Sequence, residues 1–386
     1  MYLIRDKIQA HYQKNWIGSA DYQGATSGKI ILMVIIWMFL STFQLYAQDA
    51  DNASPGAEYH PLFASDDPLE LTIEADFKSL IANKADETPE YNSAQLILSG
   101  TNGGIETFEI KVRARGFSRR VSLCDFPPLY LNFIKKDVQG TVFEGQNKLK
   151  LVTFCRDMER YQEYVFHEYL IYKIYNILTD TSLRVRLTHM QYKDQGKDNP
   201  RADNYGFLIE DIDDLAERLG GQETEILLTV HDMCDHPSVD LFTVFQFMIS
   251  NVDWNVGKPL MHNVKLITIG SGLPIPIPYD FDFCGAINTT YAAAPPNLPI
   301  TSVRQRLFRG YCRQKGEYEK TIQIFIDRKE DIYNLYRDFP YLSEPVKKST
   351  LNFYDKFYDI ITDPKKVKKL IYDACPGNHT HLHEIN

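Results

Sequence analysis

The chain has 386 residues, 44% of them hydrophobic and 24% charged, with 24 Tyr and 22 Phe. That is ordinary globular material, enough for one large or two small domains. A net charge of −9 argues against nucleic acid as the main partner, since a phosphate backbone is bound by clustered cations.

Residues 30–46, IILMVIIWMFLSTFQLY, form an uninterrupted apolar run preceded by Lys29 and followed by Ala47-Gln48. A basic flank, an apolar core and a small residue read as a secretory signal peptide cut after Ala47. The other reading is an uncleaved single-pass anchor, at the short edge of what spans a bilayer. Residues 1–47 are then leader, and the polar, Pro/Gly/Ala-rich stretch 48–66 is a linker. Six Cys in an exported chain permit disulfides. Their spacing is irregular and lacks a CxxC pair, which argues against structural zinc. Cys124 and Cys155 lie just outside predicted strands of the same half and are the best pair; the alternative is that all six are free buried thiols.

From Leu69 onward the chain alternates as strands do: Leu69–Glu74, then a hairpin over 95–99 and 105–113 around Gly103-Gly104, then 128–133 and 147–153. Arg113, Arg115, Arg119 and Arg120 crowd around Gly116 and can hold phosphates or carboxylates bidentately. The alternative is a solvated edge with local salt bridges. Lys148 and Lys150 share one strand face, Leu149 and Leu151 the other. Residues 156–179 read as a long helix. Inside it Glu168 has Tyr164, Val165, Ile171 and Tyr172 three and four residues away, so its carboxylate sits among apolar groups and needs a cationic partner. Strands follow over 183–192 and 205–210, and a helix begins at Asp211. Further helices are predicted over 239–250 with Ser238 as cap, 317–338, 344–361 and 364–375. Arg304, Arg306, Arg309 and Arg313 form a second possible anion cluster. Residues 377–386, with His379, His381 and His383, read as a mobile tail.

Residues 238–285 organise the rest. An apolar helix runs into Asn251-Val-Asp253-Trp-Asn255, His262-Asn263 opens a short strand, and the chain emerges as Tyr279-Asp280-Phe281-Asp282-Phe283-Cys284-Gly285. Asp253, Asn255, Asn263, Asp280 and Asp282 supply the acidic and amide oxygens that a divalent cation with a phosphate needs. GxSxG, HExxH and Walker motifs do not occur.

This order, Asn-x-Asp, then Asn, a strand and Asp-Phe, resembles the CotH-type atypical protein kinases and, more distantly, secretory-pathway and HipA-like kinases. Arg113-Ala-Arg115-Gly116 is similar to the CotH RxRG segment, and Tyr205–Glu210 to its GxYxLxE strand. The resemblance implies an α+β, bilobal protein-kinase-like fold: a β-rich N-lobe over 67–210 with one long helix, and a mainly helical C-lobe over 211–376. It implies ATP with Mg²⁺ or Mn²⁺ and phosphorylation of Ser, Thr or another hydroxyl of an exported protein. In that scheme Asp253 takes the proton of the acceptor hydroxyl, and Asp282 anchors the metal with Asp280 as a helper. Asn263 or Asn255 completes the metal set, because the usual Asn position, five after the catalytic Asp, is Lys258. Lys150, with Lys148 in reserve, pairs with Glu168 to hold phosphates. Arg115 faces the nucleotide and Glu210 lies near the adenine. Two other readings fit the same residues: a non-catalytic exported binding protein or pseudokinase, and a metal-assisted phosphoester hydrolase using Asp253, Asp280 and Asp282.

Overall fold

The computed structural model describes residues 60–374, apart from 101, 102, 227, 228 and 258. All of them fall within one compact unit, Glu58–Asn386. The predicted leader, the apolar run 30–46, most of the linker and the tail lie outside the described residues. The end of the predicted linker is structured: Pro61–Phe63 form a 3₁₀ turn that buries Leu62 and Phe63.

Seven strands build a closed barrel: β1 (Leu69–Ala75), β2 (Asn92–Ser99), β3 (Ile105–Ala114), β4 (Leu129–Asn132), β5 (Lys148–Val152), β6 (Val185–Asp194) and β7 (Ala202–Ile209). Their order around the barrel is β1-β2-β3-β4-β5-β7-β6. Period-2 alternation explains the burial. In β1, Leu71, Ile73 and Ala75 point inward while Glu70 and Glu74 remain outside. In β5, Leu149 and Leu151 enter the barrel core and Lys148 and Lys150 face outward. Phe126, Phe154 and Tyr192 fill the interior, with ring centroids 4.7–5.7 Å apart.

The helices are α1 (Phe77–Ala82), α2 (Glu159–Leu178), α3 (Ile212–Arg218), α4 (His236–Met248), α5 (Glu317–Asp327), α6 (Lys329–Arg337), α7 (Glu344–Ile361) and α8 (Pro364–Val367). A second, three-stranded sheet has the order β10-β9-β8, with β8 at Gly221–Glu223, β9 at Val264–Ile269 and β10 at Ile275–Pro278. The predicted 317–338 helix is two helices that meet at Arg328. The cap of α4 is Asp235, which accepts from Ser238 N–H at 3.0 Å, rather than Ser238 itself.

The architecture is α+β, but it does not fit a bilobal kinase fold. β1 pairs in parallel with β6, from Leu69↔Thr188 to Ala75↔Asp194, so the sheet closes on itself and has no free edge. The main apolar core also runs across the expected lobe boundary at 210/211. It unites Val152, Leu187, Phe207 and Ile209 of the barrel strands with α2, α3, α4 and the C-terminal helices.

The closing seam carries a titratable clamp. On β6, His189 Nδ1 lies 2.7 Å from Glu70 Oε2 of β1, and its Nε2 lies 2.6 Å from Asp203 Oδ1 of β7. Partial burial pulls the imidazole pKa down, but the carboxylates of Glu70 and then Asp203 outweigh it and hold it above the ordinary value. The clamp is therefore fully present below the unfolded-state pKa and is lost as pH rises through the higher folded-state pKa. An NMR titration should give His189 a higher pKa in the wild type than in a Glu70→Gln/Asp203→Asn variant. An equal or lower value in the wild type would remove the clamp from the account.

Candidate functional site

Three chain segments meet where the barrel rim faces the second sheet. The first follows β3. Gly116 takes a left-handed φ of +71°, which turns the chain off the barrel into a single π-helical turn, Arg119–Leu123. The second is α2, with Glu168 at its centre. The third is the 250–291 region. There Ser250, Asn263, Asp280 and Asn288 have φ of 53–61°, the only non-glycine residues with positive φ among those described. Such backbone outliers gather at functional sites more often than elsewhere. Gly285 fixes the Asp-Phe segment. A Cβ there would lie 2.2 Å from Val303 O, so only glycine lets the turn lie against 303–304 and Ser250.

At the centre is Arg119. Its Nε donates to Asp282 Oδ2 at 2.8 Å, its Nη2 donates to Glu168 Oε2 at 2.7 Å, and Asp280 Oδ1 lies 3.5 Å away. Tyr291 OH adds a hydrogen bond to Asp282 Oδ2 at 3.1 Å, and Thr289 Oγ1 donates to Asp282 O at 3.0 Å. Three carboxylates thus share one guanidinium. Burial pushes the Glu168 carboxyl up to about 7, against the pull of Arg119 and with a further push from Asp282 and Asp280. Asp280 is raised too, first by burial and then by Asp282. Tyr172 OH accepts from Asp280 N–H at 3.0 Å.

Asp253 sits opposite, with 38% of its side chain exposed. Asn263 Nδ2 donates to Asp253 Oδ2 at 3.0 Å and to its backbone carbonyl at 2.8 Å, and His262 Nε2 lies 3.1 Å from Oδ1. The loop beneath is stiff. Asn251 Oδ1 accepts from Asp253 N–H, Trp254 Nε1 donates to Asn251 O, and Arg309 donates to Trp254 O at 2.9 Å. Arg119, Asp253, His262, Asn263, Asp280 and Asp282 line one cavity of 390 Å³, together with Arg115 and the exposed Phe117.

A neighbouring cavity of 490 Å³ shares Arg115, Gly116, His262, Asn263 and Asp280 with the first, so the two form one continuous cleft. Its far wall mixes charges: Lys148 and Lys150 of β5, with Tyr130 beneath Lys148 at 4.4 Å, stand beside Asp211 and Asp213, and Lys265 of β9 is paired with Glu223 at 2.6 Å. Burial, followed by Arg115, Lys265 and Lys148, lowers the pKa of Lys150 against the pull of Asp211. Arg113 stacks on Tyr91 and Tyr130 at 4.6 and 5.2 Å.

Of the residues expected from sequence, Asp253, Asn263, Asp280, Asp282, Arg115, Lys148, Lys150 and Glu168 border this cleft. Glu168 and Lys150 are not a pair. Glu168 is taken by Arg119, and Lys150 has no carboxylate within ion-pair distance among the described residues. Glu210 faces away. Its carboxylate forms a two-point ion pair with Arg218 at 2.9 and 3.1 Å and accepts from Arg184 N–H, while its neighbours Ile209 and Asp211 line the cleft. Asn255 is also turned away: its Oδ1 accepts from Gly257 N–H, and its backbone bridges to His262. The second arginine cluster is structural. Arg304, Arg306 and Arg309 donate to backbone carbonyls, and Arg313 pairs with Asp240 at 2.8 Å. Sequence reading gave no role to His262, Lys265 or Tyr291, and named Arg119 only within an arginine cluster. Arg119 alone carried a signal, as one member of the arginine run after Gly116.

Cys124 and Cys155 form a disulfide, and Cys312 is also disulfide-bonded, while Cys234 and Cys284 are buried thiols. Disulfides suggest an oxidising, exported compartment. No helix among the described residues is long and apolar enough to cross a membrane.

The residues fit a divalent ion without a dedicated cage. Among the described residues no group of three or more His, Cys, Asp or Glu side chains is arranged to hold a metal. Mg²⁺, however, takes only one or two carboxylates plus phosphate oxygens and water. Asp282 Oδ1 and Asn263 Oδ1 make no hydrogen bond among the described residues, since their partners sit on Oδ2 and Nδ2. The carboxyl groups of Glu168, Asp280 and Asp282 crowd one guanidinium, an arrangement that a dication would relieve. No protein-family model and no curated protein matches this sequence.

Proposed function

We propose that the cleft binds ATP with Mg²⁺ or Mn²⁺ and transfers the terminal phosphoryl group to a hydroxyl, Ser or Thr, of an exported protein. One observation carries the reading: an accessible carboxylate, Asp253, shares a cavity with the Asp280–Asp282 carboxylates, and its extension carries the cations Arg115, Lys148 and Lys150 beside Asp211 and Asp213. The reading rests on this site and on the motif resemblance to CotH-type kinases, and not on a kinase fold.

In this scheme Asp282 and Asp280, with Asn263, hold the metal, which screens the phosphate charge when bound. Arg115, Lys148 and Lys150 grip the remaining phosphates. Asp253, oriented by Asn263 and His262, receives the proton of the acceptor hydroxyl as the new O–P bond forms. The bond between the γ-phosphorus and the β–γ bridging oxygen breaks, and ADP leaves. Catalysis of this kind is positioning and charge neutralisation, so few side chains suffice. Export by cleavage after Ala47 would place the acceptor outside the cytosol.

A second reading, a non-catalytic exported binding protein, is favoured by Arg119, which already neutralises part of the acidic cluster. Calorimetry with ATP and Mn²⁺ or Mg²⁺ tests the first reading. Metal-dependent heat of binding followed by ADP release supports it, binding without turnover favours the second, and no heat with either ion sinks it.

A further inference from the structure

We propose that Arg119, and not Lys150, is the cation that acts on the transferring phosphoryl group, held in place by Glu168. The inference rests on the phosphoryl-transfer reading above and assigns a role inside it.

Position separates the two cations. Arg119 lines the same cavity as Asp253, Asn263 and Asp282, where the acceptor hydroxyl and the metal would meet. Lys150 lines the adjoining cavity, among Lys148, Lys265 and Asp211. An anion long enough to run through both cavities has its reacting end at Arg119 and its distal phosphates at Lys150. Arg115, common to both, spans the middle.

Geometry also separates them. A guanidinium presents five donors in a rigid plane, whereas an ammonium is a mobile point charge. Two edges of the Arg119 plane are already committed, Nε to Asp282 and Nη2 to Glu168. Its Nη1 makes no hydrogen bond among the described residues. The group is thus fixed before any ligand arrives and still has donors to offer, which is what electrostatic preorganisation requires. Glu168, with 4% of its side chain exposed, has no role of its own at the reacting atoms; it positions Arg119. The segment is anchored on its other side as well. The neighbouring Arg120 donates to Lys84 O at 2.6 Å and to Gly116 O at 3.2 Å, so the π turn cannot swing away freely.

The two cations should therefore affect different kinetic constants. An interaction made mainly in the transition state lowers kcat when removed, and one made equally in the ground state raises KM. The assay is ADP release from ATP with Mn²⁺, using a mixed Ser/Thr peptide library as acceptor, together with ATP–Mn²⁺ affinity by calorimetry. Arg119→Lys keeps a positive charge against the carboxylates and so protects the fold. It should lower kcat by about 10²-fold, the scale of losing one oriented donor, with ATP affinity nearly unchanged. Lys150→Ala should raise KM and leave kcat within about 3-fold, since uniform binding energy does not enter kcat. Arg119→Ala should regain part of its kcat when guanidinium ion is added at millimolar concentration, and Lys150→Ala should not. A merely structural Arg119 would instead let guanidinium restore the melting temperature of Arg119→Ala in step with kcat, which thermal melting under the same conditions reads.

If the wild type turns ATP over and Arg119→Lys keeps its kcat, or shifts only KM, this assignment is overturned while the phosphoryl-transfer reading stands. If the wild type neither binds ATP–Mn²⁺ nor releases ADP, the broader reading fails and takes the assignment with it.

Discussion

Asp282→Asn should abolish most metal-dependent ATP binding, whereas Asp253→Asn should leave that binding intact and remove turnover. The separation follows from where the two carboxylates are held. Asp282 is almost buried. One oxygen is committed to Arg119 and Tyr291, and its backbone is pinned by Thr289, so the other oxygen is presented in a fixed direction. Replacing the carboxylate by an amide keeps the shape and removes the charge that a dication needs. Affinity should fall by more than the roughly 10–100-fold typical of losing even a partner outside the coordination shell. Asp253 belongs to the opposite wall and is exposed enough to meet an acceptor hydroxyl. An amide in place of the Asp253 carboxylate would still hydrogen-bond His262 or Asn263 but could not accept a proton. Turnover should then drop by about 10²–10⁴-fold, the usual contribution of a positioned base. ATP–Mn²⁺ calorimetry and ADP release, measured on both variants with thermal melting as a fold control, decide the matter. Equal loss of binding in the two variants would mean that Asp253 is a metal ligand and not a base.

The parts of this site that could be read in the sequence are those set by local periodicity. Lys148 and Lys150 on one face and Leu149 and Leu151 on the other follow from the pleat, and the barrel buries the two leucines as alternation requires. The need of Glu168 for a partner was legible from its apolar helical neighbours. The identity of that partner was not. Arg119 is 49 residues away in sequence, on a turn whose direction depends on Gly116, and nothing in a helical or strand period points from one to the other. Closure of the barrel was hidden for the same reason. Alternation in β1 and β6 says which face is buried, not that strands more than a hundred residues apart will pair in parallel. Charge runs were the least informative signal. The four arginines at 304–313 look like an anion site in sequence, yet three donate to backbone carbonyls and the fourth to Asp240. A guanidinium serves either purpose, and only the surrounding backbone decides.

Replacing both Cys124 and Cys155 by Ser should destabilise the protein by about 4 kcal/mol, through the unfolded chain more than through the site. The bridge joins residues 31 apart, and closing a loop of that length removes about that much chain entropy from the unfolded ensemble. The native contacts around it do not depend on the bond alone. Asp125 and Phe126 N–H both donate to Cys155 O, at 3.0 and 3.2 Å, and Lys84 Nζ donates to Cys124 O. Thr153 Oγ1 donates to Pro127 O at 3.0 Å, tying the same two segments together one turn further on. The Arg119 turn should therefore stay seated against α2 in the folded fraction of the double variant, with Arg119 still on Glu168. Denaturant unfolding should show a lower midpoint with little loss of ATP–Mn²⁺ affinity at low denaturant. A loss of affinity with no change in midpoint would reverse the argument, making the disulfide a device that places Arg119 rather than a staple of the barrel rim.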